Sequence, residues 1–166
     1  MKRVVLVLAT LVVLLMLGFG WWLLNRPDRG GIMHMGAVPE PIKKILLVDD
    51  HAAVSKRIGE LLASAVPHAE MVAASTGEEG LALVAAQSFD LVLLDLRLPG
   101  CGGIDVLKEL RVSKPGLPVI IISSLPESPY ATLARRAGAR GFVTKSALVQ
   151  ELGHAVRSVL GECALA

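Results

Sequence analysis

The chain has 166 residues, 53% of them hydrophobic, and a formal net charge of +2, which leaves room for one globular domain of ordinary size plus an extension. Its basic residues are scattered rather than striped and only 4% of residues are aromatic, which argues against a nucleic-acid surface built on charge or on base stacking. Cys101 and Cys163 have neither metal-ligand spacing nor the numbers for a disulfide framework, and read as free thiols of a reducing compartment.

The hydrophobic excess lies mostly at the start. Val4 to Leu24 contains no charged residue. As a helix it would span roughly 30 Å, the thickness of a bilayer core. Trp21 and Trp22 stand near its far end, where an interfacial aromatic belt would sit. Three readings fit this segment. It is a membrane anchor over residues 1–25, or a cleaved secretion signal, or an upstream extension of a chain that begins at Met33 or Met35. Lys2 and Arg3 on one side face Arg26, Arg29, Lys43 and Lys44 on the other, so charge fixes no orientation. Residues 26–41, with Pro27, Gly30, Gly31, Pro39 and Pro41, have the composition of a linker.

From Ile42 to Cys163 strand-like and helix-like segments alternate. Strands are expected at Lys44–Val48, Met71–Ala74, Leu91–Leu94, Val119–Ile122 and Gly141–Thr144. Helices are expected between and after them. Ala52–Ala65 carries Val54, Ile58, Leu61 and Leu62 on one face. The next opens at Thr76 as N-cap, with Glu79 completing a capping box, and runs on through Leu81, Leu83 and Val84. The others are Gly103–Val112, Tyr130–Ala137 and Leu148–Leu160. Five βα units in series predict a parallel sheet covered on both faces.

Two of the apolar runs end on acids. Ile45-Leu46-Leu47-Val48 stops at Asp49-Asp50, and Leu91-Val92-Leu93-Leu94 stops at Asp95. In an open parallel sheet, ligands bind beyond the carboxyl ends of the strands, so adjacent strands would put three carboxylates in one crevice. Like charges that close repel unless a cation joins them, and Mg²⁺ suits a set of oxygen donors. The pattern points to metal-assisted phosphoryl chemistry with one carboxylate left as nucleophile. Taken alone, Asp49-Asp50 would also serve as a turn or helix cap, and Lys145 as a solvated lysine.

Four stretches together carry a family resemblance. They are Ile45-Leu46-Leu47-Val48-Asp49-Asp50-His51, Leu93-Leu94-Asp95-Leu96-Arg97-Leu98-Pro99-Gly100, Val119-Ile120-Ile121-Ile122-Ser123 and Gly141-Phe142-Val143-Thr144-Lys145. In this order, each at a strand end, they resemble the receiver domain of two-component response regulators. The resemblance implies a flavodoxin-like (βα)5 fold, doubly wound, with strand order 2-1-3-4-5, over residues 42–163. It implies Asp95 as phosphoacceptor from a sensor histidine kinase or phosphotransfer protein. Mg²⁺ would be held by Asp49, Asp50, Asp95 and the backbone carbonyl of Arg97. Lys145 would place an ammonium on a phosphoryl oxygen and Ser123 would donate a hydroxyl, with Ser124 as the neighbour to tell apart from it. Phe142 is either the family's mobile aromatic or a static core residue. If mobile, it would turn inward on phosphorylation and change the surface around Tyr130–Ala137, Gly141–Thr144 and Leu148–Leu160.

Departures accompany the resemblance. Ser146 follows Lys145 where many members have a cis-proline, a variant similar to receivers joined to a helix-turn-helix output domain. No such domain follows here, so direct nucleic-acid binding is not expected, and output would run through an effector protein or a homodimer. The expectation is a signalling domain rather than an enzyme, limited to self-phosphotransfer and slow autodephosphorylation. It would sit on the cytoplasmic side of the inner membrane, or in the cytoplasm if the start is Met33 or Met35. Two rivals stand beside it. One is a pseudo-receiver that docks without phosphorylation; the intact acids and Lys145 speak against it. The other is a haloacid-dehalogenase-type hydrolase, whose Asp-x-Asp is broken here by Arg97. His51 reads as a helix-start residue, and His34, His68 and His154 as surface residues.

Overall fold

A computed structural model describes residues 42–161 of the chain. The anchor and linker expected over residues 1–41, and the tail with Cys163, lie outside the described residues. The elements run β1 (Lys43–Val48), α1 (Ala52–Ala65), β2 (Ala69–Ala74), α2 (Gly77–Ala86), β3 (Leu91–Asp95), α3 (Gly103–Ser113), β4 (Val119–Ser123), α4 (Glu127–Arg136), β5 (Gly141–Thr144) and α5 (Leu148–Leu160), with one 3-10 turn at Lys145–Ala147. All strand pairs are parallel and the order is β2-β1-β3-β4-β5. This is the expected doubly wound, flavodoxin-like sheet. Among the described residues no helix is long and apolar enough to cross a membrane.

The aliphatic runs behave as their composition dictates. Side chains alternate across a strand, and here both faces are covered. Ile45, Leu47, Leu91, Leu93, Ile120, Ile122 and Val143 pack on one side with Ile58 and Leu62 of α1 and Leu152 and Val156 of α5. Leu46, Val48, Val92, Leu94, Val119 and Ile121 pack on the other side with Val84 of α2, Leu107 and Leu110 of α3 and Ala134 of α4. A strand with no polar face has nowhere to go but the middle of a sandwich, so β1, β3 and β4 are the inner strands. The edge strand β2 carries a mixed face, and it begins at Ala69 rather than Met71. Ala69 and Glu70 pair with Lys43 and Lys44, extending the ladder past the apolar residues that signalled it.

Two boundaries differ from the periodicity for local reasons. The fourth helical element starts at Glu127 instead of Tyr130, but Ser128 within it is extended (φ −93°, ψ 128°), so regular turns begin beyond it. At α2, Thr76 Oγ1 accepts the Glu79 N–H at 3.2 Å, as the N-cap reading required. The Glu79 carboxylate accepts chiefly from Ser75 N at 2.8 Å and Ser75 Oγ at 3.0 Å, with the Thr76 amide of the capping box a smaller contributor. Those bonds hold the Glu79 carboxyl below its ordinary value. Replacing Thr76 with Ala should lower stability by about 1 kcal/mol in urea melts; an unchanged midpoint would mean that the Glu79–Ser75 contact alone sustains the helix start.

The chain reverses its winding direction between β1 and β3. The connection after β1 leads outward to β2, whereas that after β3 leads to β4 on the opposite side. A crevice opens at the carboxyl ends of strands at such a switch point, and both acidic stretches stand there.

Candidate functional site

Asp49 continues the ladder one step past β1, its N–H donating to Ala74 O at 3.0 Å. Its side chain is fully buried, and Oδ1 accepts the backbone N–H of His51 at 2.8 Å. Asp50 points to the rim, its side chain one-third exposed. Asp95 is the last residue of β3 and is 1% exposed. Its two oxygens have separate partners. Oδ1 accepts the Arg97 N–H at 3.0 Å, and Oδ2 accepts from Lys145 Nζ at 2.6 Å.

Lys145 crosses from the end of β5 to reach both inner acids. Its Nζ lies 2.6 Å from Asp49 Oδ2 as well as 2.6 Å from Asp95 Oδ2. Burial opposes the charge on this ammonium, but the close contacts with Asp49 and Asp95 and their negative charges outweigh it and hold the amine above the ordinary lysine value. The contact with Asp49 is short but poorly aligned, so Asp49 Oδ2 is a buried oxygen with no well-directed hydrogen-bond donor. Three carboxylates beside one ammonium leave a formal excess of negative charge in the pocket. A set of carboxylate oxygens that carries more negative charge than its one ammonium offsets suits a hard divalent cation.

The β3–α3 loop is bent tightly around Asp95. Gly103 N–H donates to Leu96 O at 3.0 Å, and a Cβ at Gly103 would collide with the carbonyl oxygen of Asp95 itself. Gly100 holds φ +82°, a left-handed conformation that L side chains resist. The loop's far end is tied to α2 by the Cys101 thiol, which donates to Glu78 Oε1 at 3.3 Å. That carboxylate pushes the thiol pKa up and keeps it a donor. Arg97, whose carbonyl the resemblance assigns to the metal, therefore sits in a loop fixed at both ends.

Ser123 closes β4 and is completely buried, whereas Ser124 is exposed, which separates the two neighbours. Ser123 Oγ accepts the Leu125 N–H at 3.1 Å and stands in register with Thr144, the residue before Lys145. The Thr144 and Ser146 hydroxyls are 3.1 Å apart. Phe142 is half-buried and packs on the core beneath α2, α3 and α4. The structure thus brings Asp49, Asp50, Asp95 and Lys145 together, with Ser123 and Phe142 on the adjacent strands. It also adds His51. This residue is the N-cap of α1, as its helix-start reading required, yet its imidazole turns back onto the acids, Nδ1 lying 2.6 Å from Asp50 Oδ1. The only sequence signal for that was adjacency to the acidic pair.

Residues 45–157 match the family model of the response regulator receiver domain. The chain belongs to the response regulator receiver family. Its receiver is 35% identical over 116 residues to the response regulator GacA of Pseudomonas aeruginosa, an alignment that covers 70% of this chain and 54% of GacA. The chain thus spans about half the length of the curated relatives it matches. Among solved structures, a two-component response regulator of the LuxR family from Aurantimonas shares 34% identity with a TM-score of 0.67, over 72% of this chain and 85% of that one. The response regulator TrrA of Thermotoga maritima, solved in complex with Mg²⁺–BeF, shares 30% identity with a TM-score of 0.63, over 70% of this chain and 98% of TrrA. Family membership makes this a domain of phosphorylation-based signalling rather than a conventional enzyme.

Proposed function

We propose that this receiver takes a phosphoryl group onto Asp95 from a sensor histidine kinase or a phosphotransfer protein, with Mg²⁺ held by Asp49, Asp50, Asp95 and the Arg97 carbonyl. The observation that carries the reading is the convergence of two buried carboxylates on Lys145 Nζ, each at 2.6 Å, with Asp49 Oδ2 left without an aligned donor. Once bound, Mg²⁺ would neutralise charge as it builds between the nucleophile and the phosphoryl oxygens.

The residues divide the work. An Asp95 oxygen attacks phosphorus in line; the O–P bond forms as the donor's N–P bond breaks, and the electron pair stays on the departing imidazole nitrogen. Arg97 N–H on Oδ1 keeps the carboxylate from rotating. Lys145, already on Oδ2, follows the negative charge onto the phosphoryl group as a point charge. Ser123 exchanges its bond from Leu125 N–H for one to the new oxygen. The β4–α4 loop is drawn with it, and Phe142 responds by turning further into the core. The face formed by α4, β5 and α5 then presents a different surface to an effector protein or a second copy. The acyl phosphate lasts until water attacks it, which gives slow self-dephosphorylation and no steady turnover.

This reading places the domain where kinase, ATP and Mg²⁺ are found, on the cytoplasmic side, and the apolar run at residues 4–24 supports a tether to the membrane there. Incubation with a small acyl-phosphate donor should add one phosphoryl group per chain by intact mass. The addition should need Mg²⁺ and vanish with a chelator. Labelling that proceeds equally well in excess chelator would overturn the metal's part.

A further inference from the structure

We infer that the edge of the domain opposite the acidic pocket, where the end of α3 meets the loop after α4, is a docking surface for the headgroups of an anionic membrane. The inference rests on the tethered reading given above and adds which surface of the receiver meets the lipid. Gly138, at φ +100°, backs onto Arg111: a Cβ there would stand 2.7 Å from Arg111 Cδ. Arg111 donates to the carbonyls of Pro115 and Leu117, and Arg140 N–H donates to Val119 O at 2.8 Å. Lys114 is the C-cap of α3, and Arg135 and Arg136 stand in the last turn of α4. Basic side chains scattered in sequence are thereby gathered near the starts of β4 and β5.

Little negative charge answers them. From Lys114 to Gln150 the one acidic residue is Glu127. Its Oε1 lies 3.8 Å from Arg135 Nη2; Arg111, Lys114, Arg136 and Arg140 make no ion pair among the described residues. Burial and, after it, the positive charge of Arg140 hold the Arg111 guanidinium below its ordinary value, as neighbours without a shared counter-charge should. Cations in the last turn of a helix answer its dipole, yet Arg140 lies past α4, just before β5. Helix ends need no exposed hydrophobic residue either. Val112, 85% exposed, stands between Arg111 and Lys114, and Leu133, 49% exposed, shortly precedes Arg135. Cations around single apolar side chains are the composition of a surface that rests at a headgroup boundary.

The point of chain entry favours a membrane over other polyanions. All five strands are parallel, so β1 starts at this same edge, at Lys43, just after Ile42, which is 71% exposed. The apolar run ends at Leu24, and residues 26–41 could reach at most about 55 Å fully extended. A domain held that close to a bilayer meets it at high effective concentration. Each Lys or Arg beside an anionic leaflet then strengthens the contact by roughly fivefold. The acidic pocket lies at the other ends of the strands, roughly 15 Å away along β4 (Val119–Ser123). Docking through the basic edge therefore leaves the pocket facing away from lipid and open to its phosphodonor.

The full chain should be assembled with nanodiscs of phosphatidylcholine, with and without phosphatidylglycerol, and its amide hydrogen exchange followed by mass spectrometry. Exchange over residues 109–118 and 133–141 should slow by about fivefold or more in the anionic discs alone. High salt should remove that protection. So should joint replacement of the exposed Lys114, Arg135, Arg136 and Arg140 by Gln, with unchanged exchange in β1, β3 and β4 reporting an intact fold. Equal protection in both discs, or none in either, overturns the docking surface, while co-elution with the neutral discs keeps the tether. Protection by soluble polyglutamate and not by anionic discs would assign the patch to an acidic protein and also overturn it. Co-elution with anionic discs alone, with the protection present, upholds the docking and removes the tether. A chain that stays with neither disc removes both.

Discussion

In the Asp95→Asn protein, labelling by an acyl-phosphate donor in Mg²⁺ should drop below detection while the fold persists. The two halves of this expectation have separate physical grounds. Labelling needs an anionic oxygen with a lone pair that an incoming phosphorus can use; an amide has neither the charge nor a comparable nucleophilicity. The fold should persist because the amide is nearly isosteric and its oxygen can still accept the Arg97 N–H that now reaches Oδ1 at 3.0 Å. Lys145 loses one partner but keeps Asp49 at 2.6 Å. Against that loss stands relief of repulsion among acids packed within 4.8 Å. These effects oppose one another, so the unfolding free energy should change by less than the roughly 3 to 5 kcal/mol that breaking a balanced buried pair costs. Intact mass reports the first half and urea unfolding the second. Full labelling of this variant would move the acceptor to Asp49 or Asp50. Loss of labelling accompanied by unfolding would leave the acceptor undecided, and the fold measurement is what separates those cases.

How far the sequence reached depended on which force decided each feature. The inner strands were legible because unbroken aliphatic runs such as Val119–Ile122 have one stable place in a two-sided sandwich. Their polar termini then followed from topology, since parallel strands all end at one edge of the sheet. That is why Asp49, Asp95 and Ser123 could be placed together from residues far apart in sequence. Edges and junctions were less legible. The start of β2 at Ala69 is set by ladder pairing with Lys43 rather than by any apolar residue. The Glu79 carboxylate reaches past the Thr76 amide to Ser75 as its main partner, a matter of side-chain reach that no spacing rule contains. The bend at Ser128 hides inside a helical pattern. Side-chain direction was least legible of all. His51 was readable as a helix start, but which way its ring turns is set by the contact of its Nδ1 with Asp50 Oδ1 at 2.6 Å. The Cys101–Glu78 contact, which anchors the loop bearing Arg97, joins residues that show no mutual signal in sequence. A chemical site was therefore visible as a set of residue types, while the contacts that orient it needed the third dimension.

The same contacts set what should happen when the pocket's one ammonium is removed. Lys145→Met keeps much of the aliphatic stem and deletes the charge. Two carboxylates, with side chains 0% and 2% exposed, then face each other with no cation between them. Removing one member of a buried ionic group costs roughly 3 to 5 kcal/mol in comparable settings, since the remaining charge stays desolvated. In metal-free buffer the substitution should cost a sizeable part of that amount. Added Mg²⁺ should stabilise the variant more than it stabilises the wild type, because the ion replaces a missing counter-charge rather than adding to one already present. The pH dependence has a definite sign. Folding raises the pKa of Lys145 above its ordinary value of 10.5, since the contacts with Asp49 and Asp95 outweigh the effect of burial. The folded state therefore binds this proton more tightly than the unfolded chain. The stabilisation is complete below pH 10.5 and is lost as pH climbs through the folded value. Urea unfolding of wild type and Lys145→Met across this range should give a stability difference that is constant near neutrality and narrows only at strongly alkaline pH. A difference that stays level to the alkaline limit would mean that Lys145 contributes through packing of its stem and not through the charge that joins Asp49 to Asp95.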